Sequence, residues 1–374
     1  MRRLVALDLP GGRKFVDELR RAWDDGDAVL PIDQRFDAAT KSGIVRDLGA
    51  AVVIDASGPA EVESGRPVDD GDALVMATSG TSGVAKGVVL THDALRASAV
   101  ASSSALGVRD TDRWLACLPL SHVGGLSVVF RALLTDTPLT VHDGFDADRV
   151  MRAAGDGCTL VSLVPTTLGR IDAHQFRAIL LGGSRPPTER PPHVIATYGL
   201  TETGSGIVYD GRPLAGVEIS TGEGDEILVR GPMLMREYRN GTTSIDTDGW
   251  LHTGDAGIFS DGLLQVTGRL DDLIKTGGEK VWPDAVEKAL TGLVEPHRVC
   301  VVGVEDPDWG QVVVVVTTAD LDLVAVKAKV RETLPAFCAP RHIVRVERLP
   351  TTAIGKIRRT ECVRIATRVL ARPS

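Results

Sequence analysis

The first two thirds of the chain predict an α/β fold with a substantially parallel sheet, and three patterns predict it. Short apolar runs recur without polar alternation: "AVVIDA" (51–56), "ALVMATS" (73–79), "CTLVSLVP" (158–165), "AILLGGS" (178–184) and "VIATYG" (194–199). Such runs suit strands that are buried on both faces. Helical patterns such as "DALRASAVASSSAL" (93–106) lie between them, the alternation that builds parallel sheets. From about residue 205 the rhythm shortens. "DEILVRG" and "GWLHTGDAGIFSDGLLQVTGR", with their Gly/Asp turns, predict short antiparallel strands in a small barrel-like layer.

A second change follows "VTGRLDDLIKTGG". Pro283 opens a helix over 283–291, "VCVVGV" and "QVVVVVTT" read as strands, and "VAVKAKVRETL" is an amphipathic helix. A further strand, "RHIVRVERLP", leads into "TTAIGKIRR". That is about 100 residues of α+β material, enough for a small domain of its own. The expected organisation is a large N-terminal domain over 1–270 and a small mobile α+β domain over 271–374, with the junction at Arg269 to Asp272.

Composition narrows the function classes. A chain of 374 residues has room for two domains. Hydrophobic residues make up 43% and charged residues 25%, an ordinary globular balance. Net charge is −8, with both signs interspersed. The basic stripe of a nucleic-acid-binding protein is missing. Cys117, Cys158, Cys300, Cys338 and Cys362 are widely spaced and form no C-x-x-C pair, which argues against a disulfide framework or a zinc site and suits a reducing cytoplasm. "MRRLVALDLPGG" makes a poor signal peptide, because Asp8 and Pro10 interrupt its apolar run. No apolar segment reaches the ~18–20 residues of a membrane span. A cytoplasmic protein without membrane insertion is expected.

One stretch carries chemistry on its face: "VMATSGTSGVAKGVVLTH", residues 75–92. Small residues let backbone N–H groups approach an anion closely, and hydroxyls add donors. Lys86 supplies a compact positive charge, and Thr91 or Asp93 can begin the following helix. Together these make a polyphosphate cradle. It is not a Walker A loop, which needs G-x-x-x-x-G-K-[ST]. The plainer reading is a flexible Ser/Gly loop between a strand and a helix.

The loop has companions in a fixed order: "LPLSHVGGL" (118–126), "ATYGLTETG" (196–204), "WLHTGD" (250–255), "VTGRLDDLIKTGGEKVWPDAVE" (266–287) and "LPTTAIGKIRR" (349–359). Six ordered stretches over about 280 residues resemble the adenylate-forming superfamily of acyl-CoA synthetases, peptide-synthetase adenylation domains and beetle luciferases. The resemblance implies ATP and Mg²⁺ as cofactors, a carboxylic acid as substrate and CoA as acceptor. Attack of the carboxylate on the α-phosphate gives an acyl-adenylate and pyrophosphate, and a thiol then displaces AMP. Two anions must meet, so cations must be aimed at the developing charge.

The resemblance also implies roles. Thr78, Ser79, Gly80, Thr81, Ser82, Gly83 and Lys86 would cradle phosphates. Lys356 would bridge the substrate carboxylate and the α-phosphate during adenylation; by position alone it reads as a solvated lysine beside Arg358 and Arg359. Glu202 would hold Mg²⁺, Thr201 would meet the α-phosphate, and Gly182, Gly183, Tyr198 and Gly199 would line the nucleotide. Asp255 would accept the ribose hydroxyls, with Arg269 as an added donor; a turn aspartate is the plainer reading of a lone T-G-D. His122 would sit near the acyl carboxylate and position it without proton transfer; its plainer reading is a half-buried loop histidine. Asp271 falls at the family's hinge. Rotation there would swing Lys356 out and bring Gly277 and Gly278 in to line a tunnel for the pantetheine thiol.

Two departures stand out. Val84-Ala85 replaces the usual proline before the lysine, and only about 75 residues precede the loop, which implies a shortened N-terminal subdomain. Chain length and "TYGLTETGSGIVYDGRPLAGVEI" (197–219) resemble actinobacterial o-succinylbenzoate–CoA ligases of menaquinone biosynthesis. An aromatic or short acidic carboxylate is therefore expected rather than a long fatty acid. Another small-acid or aromatic-acid CoA ligase, a ligase loading a carrier protein, and a non-catalytic acyl-adenylate-binding protein stay open, as does assembly into a homodimer.

Overall fold

The computed structural model describes residues 1–63, 65–79, 85–183, 186, 187, 189–351 and 357–371, with the side chains of residues 79 and 85 left out. The chain divides into two compact units. The first comprises Met1–Ser220, Leu228–Thr253 and Phe259–Leu264, and the second Thr221–Ile227, Gly254–Ile258 and Gln265–Ser374.

The described residues of the first unit contain two seven-stranded sheets, each with a parallel centre. In one, Leu4–Leu7 lies between Ala28–Pro31 and Val52–Asp55, and Asp72–Ser79 runs parallel to Ala28–Pro31. In the other, Trp114–Ala116, Leu160–Leu163, Ala178–Leu181 and Val194–Gly199 run parallel in succession. Antiparallel strands cover both edges of the first sheet and one edge of the second, whose other edge, Leu139–Val141, runs parallel to Trp114–Ala116. The central strands read as apolar runs because helices pack on them. Helix Arg13–Asp24 buries Phe15, Val16, Leu19 and Ala22, a spacing that places all four on one helical stripe.

The segment around the Ser/Gly loop differs from a strand-to-helix connection. Asp72–Ser79 pairs antiparallel with Ala85–Thr91, with Thr78 opposite Lys86. Lys86 therefore lies in a strand. Helix His92–Leu106 begins only beyond that strand, and the Thr91 hydroxyl accepts from Ala94 N at 3.2 Å as its cap. Residues 80–84 lie outside the described residues.

Beyond residue 205 the short strands expected from the turn spacing are present: Glu218–Thr221, Glu226–Arg230, Leu251–Ser260 and Leu263–Arg269 belong to a four-stranded sheet. Asp261 and Gly262, at φ 53° and 73°, turn the chain between the last two strands, a geometry that Asp-Gly pairs favour.

The second unit packs helices on both faces of a five-stranded sheet. Alternation explains the valine runs. Val299, Val301, Val313 and Val315 join one core with Val286, Val326 and Val330. Cys300, Val302, Val312, Val314 and Val316 face the other side and join Cys362 and Ala366. Helices Pro283–Ala289 and Leu323–Arg331 supply the first core and Arg359–Leu370 the second.

Arg359 ties this unit together. Its guanidinium holds Asp272 at 3.1 Å, Asp284 at 2.8 Å and Glu287 at 2.7 Å, and donates to the Val301 carbonyl. Burial raises the pKa of Glu287 and the guanidinium opposes that rise. Replacing Arg359 with Ala leaves half-buried carboxylates facing one another. The expected loss is roughly 2–3 kcal/mol, below the full figure for a deeply buried pair because these groups keep some exposure. Urea unfolding measures it; a shift within error would make the network ornamental.

Candidate active site

The candidate residues of the first unit gather at carboxyl ends of parallel strands. Asp33 and Arg35 follow Ala28–Pro31, and Thr78 closes Asp72–Ser79. Ser121 and His122 follow Trp114–Ala116, Gly182 and Gly183 follow Ala178–Leu181, and Tyr198 and Gly199 end Val194–Gly199. Open α/β sheets bind ligands in this region. Hydrogen bonds join the ends of the two sheets, among them Ser121 Oγ to Asp33 at 3.0 Å and Tyr238 Oη to Glu202 at 2.9 Å.

Backbone geometry demands glycine at two of the positions expected to line the nucleotide. A Cβ on Gly199 would lie 2.2 Å from the Ser205 carbonyl oxygen, and Gly183 has φ +84°. Thr201 and Glu202 sit on the 3₁₀ turn Thr201–Thr203 that follows Gly199. The Tyr238 hydroxyl donates to Glu202 Oε1 and lies 3.3 Å from Ser244 Oγ, while Lys86 Nζ stands 5.0 Å from the centre of the Tyr238 ring. Tyr238 thus links the expected metal-binding acid to the expected phosphate-binding lysine. Thr78 Oγ1 donates to the Lys86 carbonyl at 3.2 Å.

His122 caps the helix Val123–Leu134, and its carbonyl accepts from Leu126 N at 2.9 Å. Its Nε2 lies 3.0 Å from Arg35 Nη2 and 3.3 Å from Asp33 Oδ2. Asp33 is 4% exposed and accepts from Arg35 N, Nε and Nη2 at 3.0, 2.8 and 2.5 Å. Burial alone would raise its pKa, but the Arg35 bonds and charge and the Ser121 hydroxyl hold it down, at about 2. Burial lowers the pKa of His122; Asp33 counters this and Arg35 adds to it.

In the second unit Arg269 Nη1 donates to Asp255 Oδ1 at 2.9 Å, and Asp255 is buried. Burial opposes the Arg269 charge, yet Asp255, with Asp271 and Asp272 behind it, raises the Arg269 pKa. Asp271 sits on the 3₁₀ turn Leu270–Asp272. Gly277 and Gly278, at φ +58° and +85°, form the two-residue turn between Ile274–Thr276 and Glu279–Val281. Gly80, Thr81, Ser82, Gly83 and Lys356 lie outside the described residues. The stem that carries Lys356 is described: Thr351 bridges Ile357, and Arg358 N donates to the Pro350 carbonyl at 2.8 Å.

The family model of AMP-binding enzymes matches residues 22–239, and that of the AMP-binding enzyme C-terminal domain matches 285–356. The chain belongs to the AMP-binding enzyme family. Among curated relatives, the 2-succinylbenzoate–CoA ligase of Bacillus licheniformis is 36% identical over 321 residues, covering 75% of this chain and 67% of that protein. The ligase of the same name from Lactococcus lactis is 34% identical over 311 residues, covering 75% and 68%. Among solved structures, the o-succinylbenzoate CoA synthetase of Bacillus subtilis in complex with the acyl-adenylate OSB-AMP gives a TM-score of 0.83 at 27% identity, covering 97% of this chain and 88% of that one. The same Bacillus subtilis protein with ATP and a magnesium ion gives 0.83 at 26%, covering 96% and 90%.

The site suits the Mg²⁺·ATP of an AMP-binding enzyme. No group of three or more His, Cys, Asp or Glu side chains that would by itself hold a metal occurs among the described residues. A single half-buried carboxylate, Glu202, already oriented through one oxygen by Tyr238, fits an ion that takes one or two carboxylates and completes its shell with phosphate and water. Asp33, Arg35, Ser121 and Tyr238 are functional candidates that the fold reveals and the sequence patterns do not mark. "PIDQRF" and "MREYRN" lie outside the six ordered stretches. The signal available was the concentration of polar groups just past an apolar strand.

Proposed function

We propose that this chain is an ATP-dependent acid–thiol ligase that adenylates the carboxylate of o-succinylbenzoate and transfers the acyl group to CoA. The observation that carries the reading is the placement at strand ends of two groups, Glu202 with Tyr238 and Lys86, and His122 with Arg35 and Asp33, in a chain 36% identical to a named 2-succinylbenzoate–CoA ligase. In the first half-reaction a carboxylate oxygen attacks the α-phosphorus and pyrophosphate leaves. In the second the CoA sulfur attacks the acyl carbonyl, and AMP leaves with the bonding electrons.

Each group has a part in this proposal. Gly199 and Gly183 let the backbone approach the nucleotide, and Asp255 with Arg269 receives the ribose. Lys86 and the residues 78–83 hold the phosphates. Glu202 would hold Mg²⁺, which neutralises phosphate charge. His122 faces the acyl carboxylate. Asp271 is the hinge about which the C-terminal domain, from 271, exchanges Lys356 for Gly277 and Gly278. Five free cysteines, all buried, support a reducing compartment. No helix among the described residues is long and apolar enough to cross a membrane.

Pyrophosphate release and CoA-thioester formation, measured with o-succinylbenzoate, benzoate, hexanoate and palmitate, test the proposal. The highest kcat/KM is expected for o-succinylbenzoate. Preference for benzoate or hexanoate would keep the chemistry and remove the pathway. Preference for palmitate would overturn the expectation of a compact acid. Turnover that needs a carrier protein in place of CoA would change the acceptor. Absence of pyrophosphate exchange with every acid would make the chain a binding protein.

A further inference from the structure

We infer that Asp33 and Arg35 are positioning residues that fix His122 as a neutral imidazole with its proton on Nδ1, so that His122 serves as a hydrogen-bond donor to the acyl carboxylate and not as a base. The donor role rests on the proposed function; the tautomer does not.

The geometry around one nitrogen decides the tautomer. Nε2 has two neighbours that make opposite demands. Arg35 Nη2, at 3.0 Å, is a donor only, because a guanidinium has no lone pair to offer. Facing it, Nε2 must accept. Asp33 Oδ2, at 3.3 Å, is an acceptor and would require Nε2 to carry a proton. The arginine contact is shorter. Asp33 is also already supplied with donors: Arg35 N at 3.0 Å, Nε at 2.8 Å and Nη2 at 2.5 Å, and Ser121 Oγ at 3.0 Å. Four donors leave a carboxylate little need of a fifth. A guanidinium stays charged at any working pH, so an imidazolium in its place would set two cations 3.0 Å apart. The half-buried setting of His122 also disfavours its charge; Asp33 opposes this, and Arg35 is a further deterrent. With Nε2 an acceptor, Nδ1 holds the proton.

The arrangement is rigid by construction. Asp33 and Arg35 sit two residues apart, so one carboxylate takes both the backbone N–H and the side chain of Arg35. Ser121, next to His122, donates to the same carboxylate. The backbone of His122 is pinned from both sides: its N–H donates to the Pro119 carbonyl, and its carbonyl accepts from Leu126 N. The loop after one sheet's strand thereby sets the ring at the end of the other sheet's strand. A neutral donor suits adenylation: it steadies a carboxylate without protonating the nucleophile, which would then fail to attack phosphorus.

The test reads the ring directly. Imidazole nitrogen NMR of the full-length protein, with and without His122→Gln to assign the signal, should show Nε2 as unprotonated and Nδ1 as protonated at pH 7.5. Arg35→Gln removes the repelling charge and replaces the guanidinium fork with a shorter neutral amide. It should raise the His122 pKa above its wild-type value and turn Nε2 into a donor to Asp33. Arg35→Lys, a donor-only cation, should restore the wild-type tautomer at least in part. In kinetics, Arg35→Gln should raise KM for the carboxylate by about tenfold, the effect of losing one oriented hydrogen bond to a charged group, and leave KM for ATP unchanged. A wild-type Nε2–H signal would overturn the inference, as would an Arg35→Gln protein with the same tautomer and pKa. If the tautomer behaves as stated but no carboxylate is adenylated, the positioning stands and the functional reading falls.

Discussion

Lys356→Ala is expected to lower pyrophosphate-releasing adenylation by ~10²–10³-fold, the cost of removing one group aimed at transition-state charge, while thioester formation from supplied acyl-adenylate stays close to wild type. The physical need is plain. A carboxylate oxygen approaching an α-phosphate brings two anions to bonding distance, and at an effective dielectric near 20 each such unit-charge repulsion is about 4 kcal/mol at 4 Å. A lysine shared between them reverses the sign of both interactions. Once the mixed anhydride exists the carboxylate charge is gone, and the attacking thiol has no use for a cation there. The two half-reactions therefore part company. Stability should not follow activity, because the stem of the segment is held without Lys356, by the Thr351–Ile357 bridge, the Arg358 N–H on the Pro350 carbonyl, and Arg359 with its three carboxylates. Single-turnover assays of each half-reaction, beside a melting curve, measure all three quantities. Equal loss in both half-reactions would remove the domain exchange from the proposal.

Much of this was legible in the residues, and the physical reasons differ from part to part. Runs such as "AILLGG" and "VCVVGV" announce strands covered on both faces, and the structure buries Ala178–Leu181 and Val299–Val302 accordingly. Caps were legible because they are local: Thr91 needs only the amide of Ala94. The parallel centre of the sheets was legible too, but the antiparallel pairing around residues 72–91 was not, since it depends on which strand lies alongside. The Ser/Gly segment reads as a loop between a strand and a helix, whereas its flanks, Asp72–Ser79 and Ala85–Thr91, pair antiparallel. Long-range polar contacts were the least legible. Arg359 reads as one more basic residue in "GKIRR", and only the fold brings Asp272, Asp284 and Glu287 around it. Asp33 and His122 are likewise separated by most of the first sheet's chain, and nothing local couples them.

Glu202→Gln should lower Mg²⁺-dependent turnover by ~10²–10³-fold, again the range for a preorganised charge acting on the reacting phosphates, and leave the melting temperature nearly unchanged. Glutamine keeps the shape, so the 3₁₀ turn Thr201–Thr203 is undisturbed. It also keeps a carbonyl oxygen that accepts from Tyr238, whose hydroxyl sits 2.9 Å from Glu202 Oε1. What disappears is the negative charge. Mg²⁺ binds few protein ligands and draws much of its affinity from carboxylate charge, so the variant should need a higher Mg²⁺ concentration for half-maximal rate. Tyr238→Phe separates orientation from charge: it removes one hydrogen bond to a charged group, roughly 1.5–3 kcal/mol, and should cost about tenfold or somewhat more. The two residues act through a single carboxylate, so the double variant should be little worse than Glu202→Gln alone. Additive losses would mean that Tyr238 works chiefly through Lys86, whose ammonium lies 5.0 Å from its ring centre. A large fall in melting temperature for Glu202→Gln with unchanged turnover would make Glu202 a structural residue and require another ligand for the metal.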